Sequence, residues 1–163
     1  MAWSGDGGGG EDMANKTARP EYLAATDGSP ASDKAMDFAI ARAKEAGARL
    51  VIIMAVEGTL MGAPSAGGAS SVDLSVQMEK EAWAKVRNDE GRARAAGLEA
   101  RAEVVKVFPP NDIAVAIVKY AEEKRVHSVF VGSHGRTGLM RQMLGSTADK
   151  VVKLAHCHVT VVR

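Results

Sequence analysis

Along the chain, short apolar runs alternate with segments whose apolar residues recur every three or four positions. Tyr22-Leu23-Ala24-Ala25-Thr26 reads as a first strand. It stops at Asp27-Gly28-Ser29-Pro30, where Ser29 suits a helix N-cap and Pro30 the first helical position. Ala35, Met36, Ala39, Ile40 and Ala43 then make a stripe at helical spacing, closed by Gly47. Leu50 to Val56 is continuously apolar and rich in β-branched residues, the pattern of a strand covered on both faces. A helix is expected from about Leu74 to Ala96, with Val76, Met78, Ala82, Trp83 and Val86 on or near its buried side. Leu98 to Val107 alternates, Ala100, Ala102 and Val104 against Arg101 and Glu103, and reads as a third strand. Asn111 opens a helix through Ile113, Ala114, Ile117, Val118 and Ala121. Ser128 to Val131 is a fourth strand, Thr147 to Ala155 a last helix, and Val159 to Val162 a final strand.

Five strands alternating with four helices predict an α/β protein with a parallel, doubly wound, Rossmann-like sheet and helices on both faces. Ligands of such sheets bind outside the carboxyl ends of the strands, where strand order reverses. Two loops fall at such ends, Asp27-Gly28-Ser29 and Gly132-Ser133-His134-Gly135. The second continues to Gly145-Ser146-Thr147, giving a G-x2-G-x9-G-S spacing that runs from strand into helix. That junction gathers backbone N–H groups at the positive end of a helix dipole, which suits phosphate. Its glycines are expected to permit close backbone approach and positive φ, so that valine at Gly132 or Gly145 would abolish binding and leave the fold intact. The plain alternative is a βα turn in which Gly135 and Gly138 relieve crowding and Ser146 caps a helix. No G-x-G-x-x-G follows the first strand, and no Gly-Lys pair exists for a Walker loop.

Composition narrows the setting. The chain has 163 residues, 46% of them hydrophobic and 25% charged, as in a single globular domain. A net charge of +1 without a Lys/Arg block gives no case for nucleic acid. The lone cysteine, Cys157, excludes an internal disulfide and fits a reducing compartment. Met1 to Asp6 lacks the basic and apolar regions of a secretory signal, and no apolar run approaches the roughly 20 residues of a bilayer span. Cytoplasm is therefore expected, with no membrane partner. Residues 1–19, which include Gly7 to Gly10, are expected to be a disordered tail, and residues 20–163 the folded domain. The Gly/Ala/Ser-rich segment Glu57 to Val72 is expected to be a functional or mobile loop.

Tyr22-Leu23-Ala24-Ala25-Thr26-Asp27-Gly28-Ser29, Val131 to Leu139 and Leu144-Gly145-Ser146 together resemble the universal stress protein family. The likeness covers roughly Glu21 to Arg163. It implies strand order 3-2-1-4-5, with ATP bound between the first and fourth strands. By position, Asp27 would meet the ribose or adenine, with Ala25 and Val56 walling the base. Val131 and Gly132 would lie under the ribose and α-phosphate. Gly135, Gly145, Ser146 and Thr147 would cradle the phosphates, with Mg or Mn as an optional companion. The resemblance also implies a homodimer through the last strand, Val159 to Val162. That strand is apolar on both faces and lacks the charges or proline that blunt a sheet edge. Two places depart from the family's habit: Val107-Phe108-Pro109-Pro110 loses a glycine, and Ala155-His156-Cys157-His158-Val159 replaces prolines by histidines.

Each candidate also has a bland role. Asp27 forms turns, His134 suits a solvent-facing loop, and Arg136 either neutralises phosphate or lies in water. Neighbours in a strand alternate faces, so His156, Cys157 and His158 cannot all meet one ion. Cys157 is expected to be a small buried hydrophobe. No general base is evident near the loop, so enzymatic activity is left open. Three readings stand: an ATP-binding regulator in stress response, a slow ATPase or autophosphorylating enzyme, and an interaction module without nucleotide.

Overall fold

The computed structural model describes residues 19–58, 71–109, 111–135 and 144–163. The expectations for the tail up to residue 18, for residues 59–70, and for Arg136 and Gly138 fall outside them. The elements run β1 Glu21–Ala25, α1 Pro30–Ala46, β2 Arg49–Glu57, α2 Ser71–Ala95, β3 Ala100–Val107, α3 Ile113–Glu123, β4 Ser128–Gly132, α4 Ser146–Leu154 and β5 His158–Val162. All neighbouring strands are parallel, in the order β3-β2-β1-β4-β5. The doubly wound sheet and its 3-2-1-4-5 order are as expected.

The uninterrupted apolar run in β2 divides between two cores. Leu50, Ile52, Met54 and Val56 face α1 and α2 and pack with Met36, Ala39 and Val86. Val51 and Ile53 face the opposite layer, with Ile117 and Tyr120 of α3 and Val151 of α4. Period-2 alternation sends neighbouring side chains to opposite faces, so a strand roofed by helices on both sides must be apolar throughout.

Local signals end the helices. Ser29 Oγ accepts the Ser32 N–H at 3.2 Å, Pro30 occupies the first turn, and Gly47 adopts φ 61° beyond the last turn of α1. The Ala48 N–H then reaches back to the Ala43 carbonyl at 2.8 Å, satisfying a carbonyl the helix leaves open. The same device shortens the expected third strand. Gly97 has φ 89° and the Leu98 N–H bonds to the Ala93 carbonyl, so Leu98 finishes α2 and pairing begins at Ala100. Helix α3 opens one residue later than Asn111 suggested, because Asp112 is its cap and accepts the Val115 N–H at 2.9 Å.

Helix α2 also differs from its sequence pattern. Its buried line is Ala82, Val86, Asp89 and Ala93, while Val76 and Met78 are exposed and Trp83 is half-buried under Arg87. The buried line includes a carboxylate, which an apolar-stripe reading passes over.

Candidate nucleotide site

The carboxyl ends of β1, β2 and β4 open into a cavity of about 590 Å³. It lies between β1 and β4, where the chain's crossovers depart in opposite directions, the place such sheets reserve for ligands. Ala25 and Asp27 line it from β1, Val56 from β2, and Val131, Gly132 and Gly135 from β4 and its loop. Gly145, Ser146 and Thr147 line it from α4. Nine of the ten positions expected from sequence thus border one space, and the tenth, Arg136, lies outside the described residues.

The two loops are stitched together beneath this space. Ser29 Oγ, besides capping α1, donates to the His134 carbonyl at 3.3 Å. The Ser29 N–H donates to Asp27 Oδ1 at 2.9 Å, closing a turn that sets the carboxylate. The Gly145 N–H donates to the Ser133 carbonyl at 2.8 Å, and the Ser133 N–H to the Val162 carbonyl at 2.7 Å. Ser133 Oγ lies 2.7 Å from His134 Nδ1. The start of α4 is thereby fixed against both β4 and β5.

Helix α4 presents a distinctive end. Its N-cap is Gly145, which has no side chain to bond the first N–H groups. Ser146 and Thr147 are therefore the first two helical residues, not caps. Their backbone N–H groups and that of Ala148 precede the first intrahelical bond, from Asp149 N–H to the Gly145 carbonyl at 2.9 Å. Uncapped N–H groups at a helix start, bordering a cavity, suit an anion.

The glycines do a different job from the one expected. Among the described glycines, positive φ occurs at Gly28, Gly47 and Gly97 but not at Gly132, Gly135 or Gly145. At Gly132 a Cβ would sit 2.7 Å from the Ala31 carbonyl carbon and 2.7 Å from the Ser32 nitrogen. The missing side chain makes room for the first turn of α1, while the Gly132 backbone borders the cavity. At Gly145 a Cβ would meet the Ser133 carbonyl oxygen at 3.2 Å, and at Gly135 it would meet Asp27 Oδ2 at 3.0 Å. Close approach is thus the requirement, and positive φ is not.

Several lining residues were not singled out as site residues. Met54, Met78, Ile113, Ile117 and Leu144 supply apolar wall. Thr26 and Ser32, both buried, add hydroxyls 3.1 Å apart. A helical stripe cannot distinguish Ile117 packed on a core from Ile117 facing a void. Among the described lining residues the ionisable side chains are Asp27, Glu57 and His134. At the cavity's flank the Lys150 ammonium, then the Val115 N–H, hold the Asp112 carboxyl below the usual carboxylate value. That contact joins the start of α3 to α4. Burial raises the Cys157 thiol above its ordinary value, but the residue is only half-buried, packed against the α3/α4 core and less covered than the buried hydrophobe expected.

A parallel 3-2-1-4-5 sheet with its cavity at the switch point defines a Rossmann-like α/β protein. The sequence model of the universal stress protein family matches residues 22–163. Universal stress protein MJ0531 of Methanocaldococcus jannaschii is 35% identical over 156 residues, covering 94% of this chain and 85% of its own length. Universal stress protein YxiE of Bacillus subtilis is 33% identical, covering 88% and 98%. Among solved structures, a universal stress protein in complex with cAMP superposes with a TM-score of 0.67 at 25% identity, covering 90% of this chain and 99% of the other. The chain belongs to the universal stress protein family. Among its described residues no helix is long and apolar enough to cross a membrane.

Proposed function

We propose that residues 20–163 form an ATP-binding unit of a dimeric, cytoplasmic stress-response regulator. The observation that carries this reading is the uncapped start of α4, set in the wall of the switch-point cavity. The backbone N–H groups of Ser146, Thr147 and Ala148, with the Gly135 and Gly145 segments, hold phosphate oxygens. Ala25, Val56 and the Ile113/Ile117 side of α3 wall the base, and Asp27 accepts from a ribose hydroxyl or the adenine amine. Mg or Mn accompanies the phosphates, which supply its oxygen ligands together with water. Arg136 belongs to this reading as a neutralising charge on the same loop. The single cysteine fits the reducing cytoplasm.

Binding stabilises the folded state by mass action. With Mg-ATP at a hundred times its Kd the gain is about 2.7 kcal/mol. For a domain of this size that raises Tm by roughly 5–10 °C. A scanning-fluorimetry series with Mg-ATP, cAMP and Mg-GTP tests this, with equilibrium dialysis as the direct check. No shift with any nucleotide favours the interaction module. The relative solved with cAMP gives that ligand its place, and a shift with cAMP alone moves the assignment from triphosphate to cyclic monophosphate. Release of labelled phosphate from thoroughly purified protein would make it a slow ATPase.

Among the described residues strand β5 is the edge of the sheet beside β4, and Val159 to Val162 carry no charge among them. Pairing with the same strand of a second copy closes the edge by two-fold symmetry. Val161→Pro removes a ladder donor, and multi-angle light scattering should then report monomer where the parent protein is a dimer at tens of micromolar. A parent monomer, or a dimer indifferent to the substitution, counts against this interface.

A further inference from the structure

At the end of the sheet away from the cavity, the fold brings together two histidines that lie 31 positions apart in sequence. His127 precedes β4 and His158 opens β5, and both are exposed. Their ring centroids are 5.2 Å apart. The His127 ring also stacks on Tyr22, at 5.9 Å and 21° between planes. The His127 N–H is held by the Glu21 carbonyl at 2.8 Å, so the residue is fixed from its main chain as well as its ring.

We propose that His127 and His158 form a two-imidazole site for a borderline divalent transition ion such as Zn²⁺ or Cu²⁺. An ion about 2.0–2.1 Å from one nitrogen of each ring, at a tetrahedral angle, places the two centroids about 5.2 Å apart. The observed separation meets that requirement. His158 Nδ1 faces the His127 carbonyl oxygen at 3.4 Å. A ring N–H directed to a backbone carbonyl leaves Nε2 as the metal-binding nitrogen, the arrangement that orients histidine ligands in metal sites. The rings are tilted by 38° to one another, and coordination requires each to turn one nitrogen toward the ion, a freedom that exposed side chains have. Among the described residues no cluster of three or more ligating side chains occurs. With these two ligands from the described residues, water fills the remaining positions and the ion is exchangeable. Imidazole suits Zn²⁺ and Cu²⁺ and is a poor match for Mg²⁺, so this site is distinct in chemistry from any ion carried by a nucleotide. The His156-Cys157-His158 run does not supply the set: Cys157 packs against the α3/α4 core, and the second ligand of His158 comes from another strand.

Calorimetric titration of the full chain with Zn²⁺, without nucleotide, tests the site. The expected result is one ion per chain. His127→Ala and His158→Ala each weaken binding about tenfold or more, and the double variant loses less than the two single losses combined, because either substitution alone already breaks the chelate. His156→Ala and Cys157→Ser bind as the parent does. Unchanged melting curves show that the exposed substitutions leave the fold alone. Additive losses from the two single variants, or loss on Cys157→Ser, would overturn the assignment.

Discussion

Gly132→Val is expected to lose about 3 kcal/mol of stability or more, at or beyond the upper end of the usual range for an overpacked site. Its Cβ would lie 2.7 Å from backbone atoms of Ala31 and Ser32. Those atoms belong to the first turn of α1, which is held in place by the Ser29 cap and by the hydroxyl pair of Ser32 and Thr26. Relief requires moving α1 off β4, and a flexible side chain cannot absorb the strain. At roughly 2–4 °C per kcal/mol the melting temperature falls by about 6–12 °C. Gly132→Ala carries the same Cβ and should show most of the effect. Gly145→Ala meets its nearest neighbour at 3.2 Å and should cost far less. Circular-dichroism melts decide the matter. A Gly132→Val protein melting within 2 °C or so of the parent would mean that α1 yields freely.

The second large effect is expected at Asp89, whose side chain is fully buried in α2. Its Oδ2 takes the Lys85 ammonium at 2.6 Å and its Oδ1 the Arg92 guanidinium at 2.8 Å. Lys85 also reaches Asp33 at 2.8 Å, and Arg92 pairs with Asp37, so the cluster fastens α2 to α1. Burial alone pulls the Lys85 ammonium down, but the Asp33 and Asp89 carboxylates more than offset it and leave it above the ordinary lysine value. Asp89→Ala strands two partly covered cations on two remaining, more exposed carboxylates. The cost should be about 3 kcal/mol, the lower end for breaking a buried ion pair, because Asp33 and Asp37 still compensate. Removing the exposed Arg42–Glu45 pair by Arg42→Ala should cost under about 0.5 kcal/mol. Chemical denaturation measures both. A loss at Asp89 no greater than at Arg42 would show that the cluster contributes nothing to joining the two helices.

Most of the architecture was legible because it follows from short-range rules. A strand apolar on both faces, as Leu50 to Val56 is, demands helices above and below. Ser29, Pro30 and Gly47 mark both ends of α1 through the backbone groups they satisfy and the φ angles they permit. The loop spacing from Gly132 to Ser146 places a helix start beside a strand end, and the candidate site needed little beyond that placement. Element boundaries were less secure where a cap outreached the hydrophobic pattern, as when Leu98 folded back to close α2.

The sequence by itself determined the alternation of strands and helices, the parallel sheet, and the loops that border the cavity, since period, turn chemistry and glycine spacing are properties of neighbouring residues. Only the tertiary structure decided what the glycines are for. Gly132 is small because α1 crosses it, a contact between segments a hundred residues apart that leaves no mark on its neighbours. The same holds for Asp89, whose burial makes sense only once Lys85 and Arg92 bring α1's carboxylates to it. It holds too for His127 beside His158 and for Ile117 facing a cavity. Each depends on which distant surface arrives there, and that is fixed by packing, not by local pattern.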